Sequence, residues 1–161
     1  MIFVTVGSQL PFDRLIQTVD HWHAENKSIT VFAQIGISNY APQHIDFCQT
    51  MTPDIYHDYL QKANLVIAHA GMGTIISALE FGKTLILMPR LASQGEHRND
   101  HQLATAKRFS DYFTNIIFAY NEKELVDILK NLPEKVMYDK LEILTDSNLL
   151  NKIQLFIKES F

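Results

Sequence analysis

The chain has 161 residues, 47% of them hydrophobic and 20% charged, which is enough for one buried core and excludes a disordered protein. Its net charge of −4 argues against a nucleic-acid-binding surface, and its lone Cys48 cannot form an internal disulfide. No stretch approaches the roughly 20 apolar residues of a membrane-spanning helix, and the short apolar amino terminus lacks the basic residues of a signal peptide. We therefore expect a cytoplasmic protein that binds no nucleic acid.

Short apolar runs alternate with apolar residues at helical spacing, which predicts strands that alternate with helices. The predicted strands cover residues 2–6, 29–35, 45–51, 65–68, 85–88 and 116–119. The predicted helices cover residues 11–26, 54–63, 74–81, 99–109, 122–132 and 148–160, with Pro11 in a first turn and Gly82 at a helix end. Because the strands lack polar alternation, we expect an α/β fold with a Rossmann-like parallel sheet, helices on both faces and one domain over residues 1–161.

A glycine turn follows the fourth predicted strand, in the sequence His69-Ala-Gly71-Met-Gly73-Thr74. Ligands of parallel sheets lie at the carboxyl ends of strands, where glycines permit positive φ and close approach of the backbone. The first turn of the next helix offers unpaired N–H groups to a phosphate. We expect Thr74 to cap this helix and to donate its hydroxyl to a phosphate oxygen. A tight turn whose glycines serve packing explains the same residues equally well.

Two further features lie after this turn. A carboxylate at Glu80, in the following helix, can accept both hydroxyls of a ribose, although a solvated surface glutamate is the simpler interpretation. The long polar loop over residues 89–102 is typical of a functional loop, and the Gln102 amide can bind two neighbouring sugar hydroxyls. Within it, His97 and His101 are four residues apart, but no His-Glu-x-x-His pattern supports a zinc site.

These pieces, in this order, resemble the carboxyl-terminal, donor-binding half of glycosyltransferase family 28. That half carries a His-x-Gly-x-Gly-Thr turn, a glutamate in the next helix and a loop that ends in Gln. The start, Phe3-Val-Thr-Val-Gly-Ser-Gln9, is similar to the small soluble subunits of two-subunit transferases, both bacterial exopolysaccharide and capsule types and the eukaryotic dolichol-linked UDP-GlcNAc type. The resemblance covers about residues 1–130. It implies one carboxyl-terminal-type lobe of a two-lobed (GT-B) transferase.

The resemblance implies substrate-binding roles for nine residues, namely Gly7, Ser8, His69, Gly71, Gly73, Thr74, Glu80, His101 and Gln102. Residues 66–102 then form a pocket for the diphosphate of a UDP-sugar, held by the glycine turn and Thr74. Glu80 binds the ribose, and Gln102, with His101 nearby, faces the donor sugar. Gly7 and Ser8 approach the phosphates or the acceptor side. The family has Gly-x-Pro where this chain has Gly-Lys-Thr at residues 82–84, a departure that affects packing and leaves the site assignment intact.

A chain of this length holds one of the two lobes. The resemblance therefore implies a membrane-associated partner subunit that binds a lipid-linked saccharide acceptor and carries the general base, and it keeps this chain peripheral at the inner face of the membrane. No catalytic residue is assigned here, and no metal or cofactor is expected, because the helix end supplies the electrostatic role and no Asp-x-Asp motif is present. The apolar stripe of the predicted helix within residues 147–161 fits either the partner or this domain's own core.

The expected reaction is inverting transfer of a hexose or N-acetylhexosamine in glycan or polysaccharide biosynthesis. A non-catalytic subunit that stabilises its partner is the first alternative. A nucleotide-binding oxidoreductase domain is the second, and it is disfavoured because a third glycine is missing and the turn follows the fourth strand.

Overall fold

The computed structural model describes residues 1–103, 106 and 115–132. The strands are β1 (Ile2–Thr5), β2 (Val31–Gln34), β3 (Asp46–Cys48), β4 (Leu65–His69), β5 (Thr84–Met88) and β6 (Ile116–Phe118). The helices are α1 (Asp13–Ala24), α2 (Pro53–Lys62), α3 (Met72–Glu80) and α4 (Glu122–Lys130), and a 3-10 turn covers Ala92–Gln94. In the described part of the chain, no helix is both long and apolar enough to cross a membrane.

All six strands are parallel and form one sheet in the order β3-β2-β1-β4-β5-β6. Both faces of the sheet are covered. One core cluster joins α1 and α4 to the sheet through side chains such as Leu15 and Leu125, and the other joins α2 and α3 through Leu60 and Ile75. These observations confirm the predicted Rossmann-like α/β fold.

The strand order reverses direction between β1 and β4, which lie side by side. Thr5 pairs with Ala68, so the carboxyl ends of the two strands are level. The chain leaves β1 toward one side of the sheet, through α1, and leaves β4 toward the other, through α3. A crevice between two such loops is where ligands of open parallel sheets bind. The residues to examine are therefore those that follow Thr5 and His69.

Helices α1, α2 and α3 begin elsewhere than predicted, α2 by one residue, at Pro53. Helix α1 begins at Asp13, so Pro11 is not in its first turn; Phe12 is the N-cap with φ −146°, its ring buried in the core. Helix α3 begins at Met72 with Gly71 as its N-cap, so Thr74 is not the cap. Gly82 follows the end of α3 with φ +62°, as a helix-ending glycine should. Strands β1, β2, β3 and β6 are shorter than predicted, whereas β4 and β5 are each one residue longer.

Parts of two predicted helices lie outside the described residues. Of the helix over 99–109, residues 99–103 and 106 are described; 101–103 and 106 are helical, whereas 99 and 100 are not, so the helix begins later than predicted. The whole of the predicted helix over 148–160 falls outside the described part of the chain.

Candidate functional site

The side chain of His69, at the carboxyl end of β4, lies against two glycines, Gly7 and Gly71. A Cβ atom on Gly7 would be 2.7 Å from Cε1 of His69, and one on Gly71 would be 2.1 Å from its Nε2. Gly7 has φ +74°, whereas Gly71 has φ −93°, and Gly73 is likewise absent from the positive-φ glycines. The expectation that the glycine turn uses positive φ is therefore wrong. Gly71 makes room for an imidazole instead.

His69 is neutral at pH 7. Burial lowers the pKa of His69 to about 4, and the positive charges of Arg90 and His97 act in the same direction, while the Thr5 backbone opposes them. The Nδ1 atom is buried and has no hydrogen-bond partner among the described residues. The site therefore holds a polar but uncharged ring at the crevice between the loops after β1 and β4.

The amino end of α3 offers N–H groups to this crevice. The Gly71 N–H donates to the His69 carbonyl at 2.9 Å, and the Gly71 carbonyl accepts the first helical bond from Ile75 at 3.1 Å. The next N–H groups, of Met72, Gly73 and Thr74, have no acceptor among the described residues, as is usual for a first turn. Gly73 is exposed, and a Cβ atom there would meet nothing within 4 Å. This open, positively polarised end can receive an anion.

The hydroxyl of Thr74 has a partner inside the protein. Thr74 is 8% exposed and is the third residue of α3. Its side chain hydrogen-bonds Tyr56 on α2; burial raises the pKa of Tyr56, and this hydrogen bond opposes the rise. Substitution of Thr74 therefore has a structural effect through Tyr56, whatever else the hydroxyl contacts.

Glu80 and Ser8 lie at exposed positions. Glu80 is the last residue of α3, and the helical rise places it about 12 Å along the axis from Met72. Ser8 is exposed in the loop after β1, next to Gly7. A nucleotide that spans from the amino end of α3 to Glu80 would lie along one side of this helix.

Arg90, which follows β5, holds the loop after β1. Its guanidinium Nη2 donates to the Val6 carbonyl at 2.8 Å and also to the Leu10 carbonyl. The side chain is buried, and burial lowers the pKa of Arg90 to about 10, against the influence of Glu96. The guanidinium carbon lies 5.3 Å from the centroid of the Phe12 ring, in cation–π range. One buried cation therefore closes the loop that contains Gly7 and Ser8.

The side chain of Gln102 contacts the backbone of Arg90. Its side chain is buried, and its Oε1 accepts from the Arg90 N–H at 3.0 Å. His101 is exposed and lies beside His97, with ring centroids 4.4 Å apart, and its ring contacts Asn99. His101 is therefore more available to a ligand than Gln102, because Gln102 is buried and its amide oxygen already accepts from the Arg90 N–H.

The loop after β5 is anchored to α1 by an ion pair. Arg14 donates from Nε and Nη2 to the two carboxylate oxygens of Glu96, at 2.7 and 2.8 Å, and Nη2 also donates to the Pro89 carbonyl at 3.2 Å. Glu96 accepts a further bond from the Leu91 N–H at 2.8 Å. Among the described residues, no group of three or more His, Cys, Asp or Glu side chains is arranged to hold a metal ion.

A groove of about 600 Å³ lies elsewhere, between α1 and α4. Its walls include Gln17, Trp22 and Val126. None of the nine predicted substrate-binding residues lines it. Most of the nine lie at the carboxyl edge of the sheet, in the loop after β1, at the end of β4 and at the start of α3, whereas Glu80 lies at the far end of α3.

The sequence reasoning did not single out Arg90, Phe12 or the Arg14–Glu96 pair. Each arginine contacts residues that are distant in the sequence. Arg14 is 75 residues from Pro89, and Arg90 is 84 residues from Val6. The available signal was weak: an arginine directly after the Met88-Pro89 strand end, at a position where side chains reach the neighbouring loops.

The fold and this edge define a class of protein. Solved structures with the same fold include a glycosyltransferase of kitacinnamycin (TM-score 0.60, 16% identity), which this chain matches over 98% of its own length and 38% of the other. The calicheamicin glycosyltransferase CalG4 gives a TM-score of 0.53 at 14% identity, over 99% of this chain and 43% of that one. The architecture is that of the carboxyl-terminal lobe of two-lobed GT-B glycosyltransferases.

The family follows from the sequence. The model of the glycosyltransferase family 28 C-terminal domain matches residues 1–159, and the chain belongs to this family. It is 28% identical over 123 residues to the UDP-N-acetylglucosamine transferase subunit ALG13 of Yarrowia lipolytica, and 33% identical over 118 residues to that of Homo sapiens. Each match covers 66% of this chain, but only 59% of the Yarrowia protein and 10% of the human one.

Proposed function

We propose that this chain is the donor-binding subunit of an inverting glycosyltransferase that uses a UDP-sugar. The observation that carries the proposal is the amino end of α3. Three N–H groups, of Met72, Gly73 and Thr74, are without acceptors among the described residues at the crevice between β1 and β4. The open space at Gly73 lets a diphosphate approach these groups. Membership of glycosyltransferase family 28 makes UDP-sugar the first donor to test.

The proposed chemistry is displacement at the anomeric carbon of the donor sugar. An acceptor hydroxyl oxygen forms the new bond as the bond to the β-phosphate oxygen breaks, and UDP leaves. Negative charge grows on the β-phosphate during this step, so fixed N–H donors stabilise the transition state more than the bound donor. In enzymes studied by mutagenesis, one such hydrogen-bond donor lowers the activation free energy by about 3 kcal/mol. The proton of the acceptor hydroxyl goes to a general base, which we assign to a partner.

The neutral ring of His69 suits this arrangement. An uncharged imidazole beside the helix end can hydrogen-bond a phosphate or the donor sugar without requiring a proton at pH 7. The positive potential comes from α3 and from Arg90 close by. We propose no metal and no cofactor for the reaction, because the helix end supplies the electrophilic contact that a metal would otherwise make.

A partner subunit is the second part of the proposal. The chain matches only 38–43% of the two solved glycosyltransferases described above, in which the remainder of the chain is available for another lobe. The ALG13 relatives are named as transferase subunits. We propose that the partner is membrane-associated, binds a lipid-linked saccharide acceptor and holds this chain peripherally at the inner face of the membrane.

The sugar is proposed from the relatives' names. They make UDP-N-acetylglucosamine the first candidate, within the broader choice of a hexose or N-acetylhexosamine. A role in glycan or exopolysaccharide biosynthesis is consistent with transfer to a lipid-linked acceptor.

The direct test is calorimetric titration of the purified chain with UDP and UDP-N-acetylglucosamine, with NADH as the comparison ligand. We expect both UDP ligands to bind and NADH not to bind. Binding of NADH alone would support a nucleotide-binding oxidoreductase. Failure of every nucleotide to bind, both to the chain and to its purified complex, would reject the donor-binding function and favour a stabilising subunit.

Transfer is tested separately. The isolated chain should transfer no labelled sugar to a lipid-linked acceptor, and the addition of membranes that contain the partner should restore transfer. Full activity of the chain alone would show that no partner is needed. Restoration by a Gly73→Ala variant that binds no UDP would place the donor site on the partner instead.

A further inference from the structure

We infer that Arg90 is a positioning residue for the donor site, which it shapes by clamping the loop after β1 against the loop after β5. The inference rests on the proposed function for its link to UDP. It goes beyond that function by assigning a role to a buried residue outside the predicted site. The clamp itself can be tested without any ligand.

The contacts of Arg90 run in two directions. Toward β1, its Nη2 donates to the carbonyls of Val6 and Leu10, the two ends of the loop that contains Gly7 and Ser8. Toward the following helix, its backbone N–H donates to Oε1 of Gln102 at 3.0 Å. A single atom that bridges two carbonyls four residues apart fixes the path of the chain between them. Gly7 is therefore held at the place where it contacts the His69 ring.

His69 connects the loop after β1 to the amino end of α3. Gly7 lies against Cε1 of His69, and Gly71, the N-cap of α3, lies against Nε2 of the same ring. Displacement of Gly7 would release the ring from one side, and the ring borders the N–H groups that we assign to the diphosphate. Arg90 thus acts on the donor site through the loop after β1 and His69.

Arg90 is not explained as half of an ion pair. No described carboxylate lies within salt-bridge distance of it. The nearby Glu96 uses both oxygens on Arg14 and one of them also on the Leu91 N–H. A buried cation that is bound only to carbonyls is costly to retain. A lysine ammonium also has enough donors for two carbonyls, but it is a point charge on a flexible chain, whereas the planar guanidinium fixes the direction of its bonds.

Arg14 provides a matched control. Its guanidinium carbon also lies 5.3 Å from the centroid of the Phe12 ring, so both arginines are in cation–π range of the same side chain. Unlike Arg90, Arg14 donates to Glu96 and Pro89 in the loop after β5, and it makes no described bond to the loop after β1. Substitution of Arg90 should therefore loosen the loop after β1, and substitution of Arg14 the loop after β5.

The test compares Arg90→Lys, which keeps the charge, and Arg90→Gln, which keeps an NH2 donor, with Arg14→Lys. Amide exchange of Gly7, whose N–H donates to Thr5 Oγ1, and of Leu91, whose N–H donates to Glu96, is followed by NMR. Both Arg90 variants should exchange Gly7 about tenfold faster and bind UDP about tenfold more weakly, the loss of one charged hydrogen bond. Arg14→Lys should accelerate exchange at Leu91 and leave Gly7 unchanged.

Several results would overturn the inference. Wild-type UDP affinity in Arg90→Lys with weak binding in Arg90→Gln would show that only the charge matters. Unchanged Gly7 exchange in both variants would show that the loop does not depend on Arg90. Loss of cooperative unfolding in both would assign Arg90 to the stability of the whole domain. If the wild-type protein and its complex bind no UDP, the proposed function fails, while Gly7 exchange still decides whether the clamp exists.

Discussion

A Cβ atom on Gly71 would lie 2.1 Å from Nε2 of His69, closer than any two such atoms can approach. The same imidazole also lies against Gly7, where a Cβ atom would be 2.7 Å from Cε1. The first glycine of the turn is therefore required by packing, whereas Gly73, with open space at its Cβ position, is the glycine that a ligand can approach. This difference separates the two interpretations that the sequence left open.

Alanine substitutions at the two glycines should have different effects. Gly71→Ala should lower the free energy of unfolding by about 1–3 kcal/mol, because the confined His69 ring must shift. Gly73→Ala should cost no stability, since its methyl meets no protein atom and alanine favours a helix. It should nevertheless weaken UDP binding at least about tenfold if the diphosphate approaches this backbone. Urea denaturation and calorimetry measure the two quantities, and full UDP affinity in Gly73→Ala would place the diphosphate elsewhere.

Thr74→Val tests whether the hydroxyl serves a ligand as well as Tyr56. The substitution leaves the Tyr56 hydroxyl without its partner and should lower stability by about 1–3 kcal/mol. Tyr56→Phe breaks the same hydrogen bond from the other side and is the control. We expect Thr74→Val to weaken UDP binding about tenfold and Tyr56→Phe to leave the affinity unchanged. Equal affinities in the two variants would limit the hydroxyl to its structural contact.

Glu80→Ala should change binding without changing stability, because Glu80 is exposed at the end of α3. UDP should bind about tenfold or more weakly, through the loss of ribose hydrogen bonds to a carboxylate. Pyrophosphate, which lacks the ribose, should bind the variant and the wild-type protein equally. The exposed Glu25, the C-cap of α1, offers a control substitution, Glu25→Ala. An unaltered UDP affinity in Glu80→Ala would remove the ribose role.

His69 should make stability depend on pH. Its pKa of about 4 lies below the ordinary value of 6.5, so between these values the unfolded chain binds a proton that the folded protein excludes. The contribution of His69 is therefore complete above pH 6.5 and is lost as the pH falls toward 4. His97, whose pKa burial also lowers, acts in the same direction. His69→Gln should flatten the pH dependence of urea unfolding in this window, and an NMR titration midpoint near 6.5 for His69 would contradict the assignment.

Much of the fold was predictable because its signals are local. The apolar run over residues 65–68 became β4, and Gly82 took the positive φ expected after a helix. Boundaries were less predictable. Helix α1 begins two residues later than the position of Pro11 suggests, because Phe12 enters the core and the Leu10 carbonyl is held by Arg90. Such contacts come from distant parts of the chain and leave no local pattern.

The candidate site divides in the same way. The glycine turn, the helix that follows it and the polar loop after β5 could be found along the sequence, since each depends on neighbouring residues. The reason for Gly71 could not, because it depends on where the ring of His69 points. Nor could the internal partners of Thr74 and Gln102, which are Tyr56 and the Arg90 backbone.

Local hydrophobic periodicity and glycine placement were thus sufficient for the α/β class and for the position of the glycine turn before α3, because propensities act over a few residues. Tertiary structure alone decided that β1 lies beside β4, which brings Gly7 against His69. It also placed Arg90 on the carbonyl of Val6, 84 residues away. Strand order and register are set by burial summed over the whole sheet, and no short segment contains that sum.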